Sequence, residues 1–340
     1  LLFLVISVPI DGAESSKTPP LERLEFAEIH MGTEFRVVLY SGQHEAATTA
    51  AKQALARIGE LDQTLSDYRD DSELTLLSKR SGSPPVRVGD DLWRVLERAQ
   101  EVSRQSEGAF DVSVGPAVRL WRRARRTRVI PTRERVSQVL PRIGFEKIVL
   151  IPETKEIELR SKEMILDLGG IAKGFAVDEA MKVLKKGGFS RSMVVGGGEI
   201  AVGEPPPDAK GWRIALNQPG ETSRLREEYL VLSNANVSTS GDASQFVEVD
   251  GVRYSHVIDP RTGQALTTRR QVTVVAAEGM TADACASALG VLGRGPVADR
   301  MVAWGKLAVR CDEATKTGWE TWTTPSWHSI PKESVRPAEK

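Results

Sequence analysis

The apolar positions of this chain follow two different periods. Between 47 and 65, Ala51, Leu55, Ile58, Leu61 and Leu65 step by three or four residues and predict a helix with one buried face. A second helix is predicted over 90–106, opened by Asp90 and Asp91, with Leu92, Val95, Leu96, Ala99 and Val102 turned inward. Thr132 can cap a short third helix that ends before Pro141. Residues 147–151 and 156–160 then flank Pro152-Glu153-Thr154-Lys155 and predict a hairpin. Residues 164–167 read as a further strand, running into Gly169-Gly170 and a helix that stops at Gly187-Gly188. Strands are expected over 192–195, 212–217, 229–233, 245–249, 252–258 and 271–277, with Asp250-Gly251 as a two-residue hairpin turn. Helices over 281–290 and near 296–304 complete the pattern. Hairpins outnumber strand–helix–strand crossovers, so the expected class is α+β, a largely antiparallel sheet with packed helices.

The ends read differently from the middle. Residues 1–10, LLFLVISVPI, are apolar but too short to span a bilayer, and with the small residues after them they read as the remnant of a secretory signal. A buried first strand is the alternative. We therefore expect residues 1–23 to be signal remnant and linker, 24–323 one domain without internal repeats, and 324–340 a loose tail rich in Pro, Ser and charge.

Composition narrows the partners. Lys+Arg 46 against Asp+Glu 46 gives no net charge over 340 residues, so bulk attraction to nucleic acid is not expected and any phosphate site must be local. Two cysteines, Cys285 and Cys311, exclude a disulfide scaffold and a Cys-rich zinc module. Of the four histidines, His30, His44 and His328 have no chemical company in sequence.

Three segments carry candidate chemistry. Asp167-Leu168-Gly169-Gly170-Ile171-Ala172-Lys173-Gly174 combines a glycine pair, a helix start and a lysine one turn in, which suits phosphate; it is neither a Walker A loop nor GxGxxG, and a plain strand-to-helix turn is the alternative. In Thr281-Ala282-Asp283-Ala284-Cys285-Ala286-Ser287, Asp283 and Ser287 lie four apart on one helical face, and oxygen ligands suit Mg²⁺ better than zinc; a helix cap and a packed serine would look the same. His256 ends a strand before Asp259-Pro260-Arg261-Thr262-Gly263, where a histidine can serve as a general base, although a lone histidine is usually structural. Two further stretches, Gly108 to Pro116 and the Ser66 to Glu73 loop with Tyr68, mix turns, acids and an aromatic. Six arginines in ten positions, from Arg119 to Arg128, read as a solvated loop or a contact to an acidic partner, since Trp121 is the lone aromatic among them.

Taken in order with Met31-Gly32-Thr33-Glu34-Phe35 and Ser238 to Asp242, these segments resemble the ApbE family of flavin transferases from roughly Phe26 to Leu307. The resemblance implies an ApbE-like, T-fold-related architecture and Mg²⁺-dependent transfer of FMN from FAD to a Ser or Thr of an acceptor flavoprotein, with release of AMP. It places Met31, Tyr68, Ala109, Phe110, Asp111, Asp167, Lys173 and Ile258 against FAD, and Gly170, Asp283, Ala286 and Ser287 around the metal, Gly170 and Ala286 through their main chain. His256 falls at the catalytic histidine, with Asp283 as its catalytic companion through the metal. Ser287 stands where many relatives have Thr, and Gly196 where they have Asn or Asp, which would remove a polar contact. The resemblance also implies a periplasmic or otherwise exported protein and leaves peripheral membrane association open. The same groups would serve an FAD pyrophosphatase giving FMN and AMP, or a non-catalytic FAD-binding protein; a nucleic-acid partner is not expected.

Overall fold

A computed structural model describes residues 20–216, 227–241 and 245–335. Its centre is an eight-stranded sheet built from β1 (Glu22–His30), β2 (Thr33–Ser41), β3 (Ser192–Gly196), β4 (Glu199–Val202), β5 (Ala235–Gly241), β6 (Arg270–Ala276), β7 (Ala308–Thr315) and β8 (Gly318–Thr323). Each strand pairs antiparallel with the next in chain order, so the sheet is one long meander into which the helices are inserted. The expected α+β class holds.

The helices are α1 (His44–Leu65), α2 (Glu73–Lys79), α3 (Asp90–Gln105), α4 (Gly115–Thr127), α5 (Arg133–Val139), α6 (Ala172–Lys186), α7 (Gly279–Leu292), α8 (Pro296–Gly305) and α9 (Pro325–His328). Strand period two decides the layering: Val37, Ala201, Val274 and Val309 face a core shared with α1, α3, α6 and α7, while their neighbours Val38, Val202, Val275 and Ala308 face the other way. That second face is covered by a three-stranded sheet of Trp212–Ala215, Glu227–Leu232 and Lys332–Val335, together with the buried Trp327.

Several expectations need correction. Residues 324–335 are not a loose tail: Trp327 is 1% exposed and Lys332–Val335 pairs with Glu227–Leu232, because an aromatic supplies more buried area than the surrounding Pro and Ser suggest. Residues 164–167 form no strand. Leu166 N–H donates to Ser78 Oγ at 3.1 Å and Asp167 N–H to the Val112 carbonyl at 2.7 Å, so the segment is satisfied piecemeal, with a single bridge from Ile165 to Val114. The expected strand 252–258 breaks into Val252–Ser255 and Ile258–Asp259, since Val257 N–H turns back to Ser255 Oγ. The arginine-rich stretch is helix α4 rather than a loop, anchored through Ala117, Trp121 and Ala124. The hairpin β1–β2 has no counterpart in the apolar pattern, because β1 is an edge strand of mostly exposed, charged positions. Residue 217 of the expected strand 212–217, Asp242 and the apolar N-terminal run lie outside the described residues.

Thr132 caps α5 as expected, accepting from Arg135 N–H, and the Asp250-Gly251 turn has both residues at positive φ, the geometry a two-residue hairpin needs. Cys285 and Cys311 are free and fully buried, and burial pushes both thiols up to about 12.

Candidate active site

The site begins where α6 crosses α7. A Cβ built on Gly174 would stand 2.2 Å from the Gly279 carbonyl oxygen, so the two helices meet backbone to backbone and only glycine fits. The contact lets Gly174 N–H donate to Asp283 Oδ2 at 3.0 Å. Asp178, one turn further along α6, accepts from Gly279 and Met280 N–H at 2.9 and 3.0 Å and so caps α7. Burial pushes the Asp178 carboxyl up to about 6, against those two hydrogen bonds.

Around this crossing stands a group of charges. Asp283 is 4% exposed, and burial raises its pKa while Lys173 opposes the rise. Glu199, at the start of β4, is equally buried; burial and then the nearby Asp283 carboxylate push its pKa well up, against Lys173 and Ser238, its cross-strand neighbour. Its Oε2 has no hydrogen-bond partner among the described residues. Lys173 donates to the Gly169 carbonyl at 3.0 Å; burial works against its ammonium, but Asp283, Glu199 and Asp167 outweigh it and hold the pKa above the usual lysine value. Two buried carboxylates with one ammonium between them are an arrangement that a polar ligand or a cation would complete.

The glycine pair brings a loop against α7. A Cβ on Gly170 would lie 2.8 Å from Ser287 Oγ and 3.4 Å from Phe110, so the bare main chain of Gly170 fills the space between the hydroxyl and the ring. The Gly170 main chain therefore lies against Ser287, one turn along α7 from Asp283, and all three carry oxygen donors suited to a hard cation. Ala286 is fully buried within α7 and offers only a carbonyl, which the helix also engages because it runs on to Leu292. No cluster of three His, Cys, Asp or Glu side chains able to hold a metal occurs among the described residues, so a metal here would need hydroxyl and carbonyl oxygens beside the Asp283 carboxylate.

Asp167 lies at the other end of the glycine loop. It accepts from Gly169 N–H at 2.9 Å and from Arg122 at 2.8 Å; burial and Asp67 raise its pKa, and Arg122 lowers it. The Arg122 guanidinium also pairs with Asp67 and sits 4.3 Å from the centroid of the Tyr68 ring. Tyr68 is 79% exposed, so its other face is open to a flat ligand. Phe110 and Ala109 are buried beside the loop, and Asp111 spends Oδ1 on the Ser113 N–H and hydroxyl, both at 2.7 Å. Burial pushes Asp111 up to about 6, against those bonds. Met31 forms the β1–β2 turn with Gly32, both at positive φ, and a Cβ on Gly197 would lie 3.6 Å from Thr33 and 3.7 Å from Lys173, which brings that turn to the site.

His256 and Ile258 belong to a neighbouring unit. Ile258 packs with Ala117 and Trp121 of α4, Tyr254 stacks on Trp121 at 5.3 Å, and Trp121 Nε1–H donates to the Gly263 carbonyl at 2.9 Å. His256 is held through Nδ1 by the Gln245 carbonyl at 3.1 Å. Helix α4 thus joins the break between the two short strands, where His256 sits, on one side to Asp167 and Tyr68 on the other.

Sequence reasoning missed Glu199 and Arg122. Glu199 was legible only as a lone acid opening the apolar strand after Gly196-Gly197-Gly198; Arg122 had nothing to set it apart from its neighbours. The Gly196 departure has a packing reason, since a Cβ there would stand 2.2 Å from the Phe35 ring, its cross-strand partner.

An antiparallel sheet with a glycine loop, lysine and buried carboxylates at a helix crossing defines a class of α+β enzymes. The ApbE family model matches residues 31–304, and the chain belongs to that family. It is 34% identical over 278 residues, 81% of this chain and 83% of the relative, to an FAD:protein FMN transferase of Vibrio cholerae, and 33% identical over 282 residues, 78% of each, to one of Treponema pallidum. Among solved structures, the flavin transferase ApbE from Vibrio cholerae superposes with a TM-score of 0.82 at 29% identity, over 92% of this chain and 100% of that one. The apo flavinyl transferase ApbE of Pseudomonas stutzeri gives 0.80 at 27%, over 92% and 97%.

Proposed function

We propose that this chain is an FAD:protein FMN transferase that moves FMN from FAD to a Ser or Thr hydroxyl of an acceptor flavoprotein and releases AMP. The observation that carries the reading is the Lys173, Asp283 and Glu199 group set against the Gly169-Gly170 loop, a local phosphate and cation site in a chain of no net charge. The acceptor oxygen attacks the FMN-side phosphorus, the bond from that phosphorus to the bridging oxygen breaks, and AMP leaves with the bridging oxygen. His256 takes the hydroxyl proton, a contribution of roughly 10²–10⁴-fold for a general base. Lys173 and the Gly170 N–H hold the pyrophosphate, while Tyr68, Phe110 and Asp167 orient the nucleotide, with Met31, Ala109, Asp111 and Ile258 completing the FAD contacts.

Asp283, Ser287 Oγ and the Gly170 carbonyl fit Mg²⁺, with the Ala286 carbonyl as a shared fourth donor. The orphaned Glu199 Oε2 beside them supports that fit. When bound, Mg²⁺ would supply the positive charge that a pyrophosphate needs before its bridge can break.

Incubation with FAD, Mg²⁺ and a candidate acceptor tests the reading. Protein-bound flavin fluorescence with AMP is the expected result. AMP with free FMN would instead make the chain an FAD pyrophosphatase, and tight FAD binding without AMP would make it a binding protein. His256→Ala should lower transfer without lowering FAD affinity. Export, expected from residues 1–10, is read by cell fractionation of the tagged protein.

A further inference from the structure

We propose that the arginine face of α4 docks an acidic stretch of the acceptor protein beside the hydroxyl to be modified. This rests on the transferase reading above and adds to it how the acceptor is recognised.

Helix α4 buries Ala117, Trp121 and Ala124 and turns its other side outward. On that side Arg119, Arg123 and Arg126 step by four and three, and Arg125 and Arg128 flank them. Arg119, Arg123, Arg126 and Arg128 are exposed, Arg125 is half-buried, and none of the five makes an ion pair among the described residues. Elsewhere the described arginines commonly do: Arg57, Arg94, Arg98, Arg270 and Arg310 all pair with carboxylates. Burial, and after it the neighbouring Arg122, lowers the Arg125 pKa against Tyr68 and Asp167. Like charges three and four apart on a helix repel, and the favourable end of the helix dipole offsets only the last turn. The fold gains little from this patch.

Position makes the patch useful. Arg122, in the same helix, holds Asp167 and Tyr68, and Trp121 carries the strand that leads to His256. A polypeptide seated along α4 would have its side chains within reach of both halves of the site. Nucleic acid fits less well, since Trp121 is buried and offers no stacking platform, and the helix has no free apolar face to enter a membrane. Complementary charge of this kind acts on encounter and orientation and weakens with salt.

The test uses a fluorescein-labelled 20-residue peptide with a central Thr flanked by Asp and Glu, and a control with Asn and Gln in their place. Anisotropy is read on the full chain with and without the triple variant Arg119→Glu, Arg123→Glu, Arg126→Glu. The expected result is at least tenfold tighter binding of the acidic peptide at low salt, lost at 300 mM salt (roughly a 6 Å Debye length) and lost in the variant. FAD affinity and melting temperature of the variant should match the parent, FAD affinity within about twofold, which shows that it folds. Equal binding of the two peptides, unchanged affinity in the variant, or preference for duplex DNA or anionic phosphatidylserine vesicles over the acidic peptide would overturn the proposal. Absence of AMP release from the parent protein incubated with FAD, Mg²⁺ and an acceptor would instead sink the transferase reading, and the two failures are read in separate assays.

Discussion

Gly174 N–H donates to Asp283 Oδ2 at 3.0 Å across a helix crossing where a Cβ on Gly174 would stand 2.2 Å from the Gly279 carbonyl. Gly174→Ala must therefore push α6 from α7 and move the carboxylate. We expect a loss of about 3 kcal/mol or more, at the upper end for overpacking, measured by urea unfolding, together with weaker FAD turnover.

Asp283→Asn keeps the size of the side chain and an acceptor for Gly174 but removes a buried negative charge beside Glu199. AMP release should fall at least 100-fold, while the melting temperature stays equal or rises, because a buried like-charge contact is relieved. Ser287→Thr should retain activity, as the hydroxyl remains, and Ser287→Ala should raise the Mg²⁺ concentration for half-maximal AMP release about 10-fold or more. Activity unaffected by both Asp283→Asn and Ser287→Ala would remove the proposed metal site.

Glu199→Gln neutralises the carboxylate whose Oε2 is unpartnered. Thermal unfolding should show an unchanged or more stable protein. Titration of Mg²⁺ against AMP release should show a requirement raised about 10-fold, as expected when a supporting group around a metal is lost.

Arg122 ties Asp67, Asp167 and the inner face of Tyr68 together. Arg122→Ala should raise KM for FAD about 10-fold with a smaller change in kcat. Arg122→Lys should recover little, because an ammonium cannot span two carboxylates in the planar fork. A parental KM in both variants would show that the pair does not orient FAD.

Asp111 is buried and pushed from its ordinary value near 3.8 up to about 6, so its ionisation opposes folding. The stability associated with its neutral form is complete below pH 4 and is lost as pH rises through 6. Asp111→Asn cannot ionise, yet keeps an acceptor for Ser113. The melting temperature of this variant relative to the parent should rise between pH 4 and pH 7, read by calorimetry.

Local chemistry made much of this protein legible. The periodicity of 47–65 and 90–106 survives as α1 and α3, the Asp250-Gly251 turn and the Thr132 cap form as expected, and Asp283 and Ser287 share a helical face whatever surrounds them. Each of these depends on residues within a few positions of one another. The β1–β2 hairpin and the fate of 324–335 were not legible, since an exposed edge strand carries little apolar signal and one buried tryptophan carries too much to be averaged. Glu199 and Arg122 were hidden for a different reason. What makes them part of a site is the approach of Asp283, 84 positions away, and of Asp67, 55 positions away, and no local pattern encodes such meetings. Helix faces, turns and donor atoms follow from the order of residues alone; which charges are buried together, and hence which pKa values move and which oxygen is left unpartnered, is decided only when β4, α6 and α7 pack and exclude water from between them.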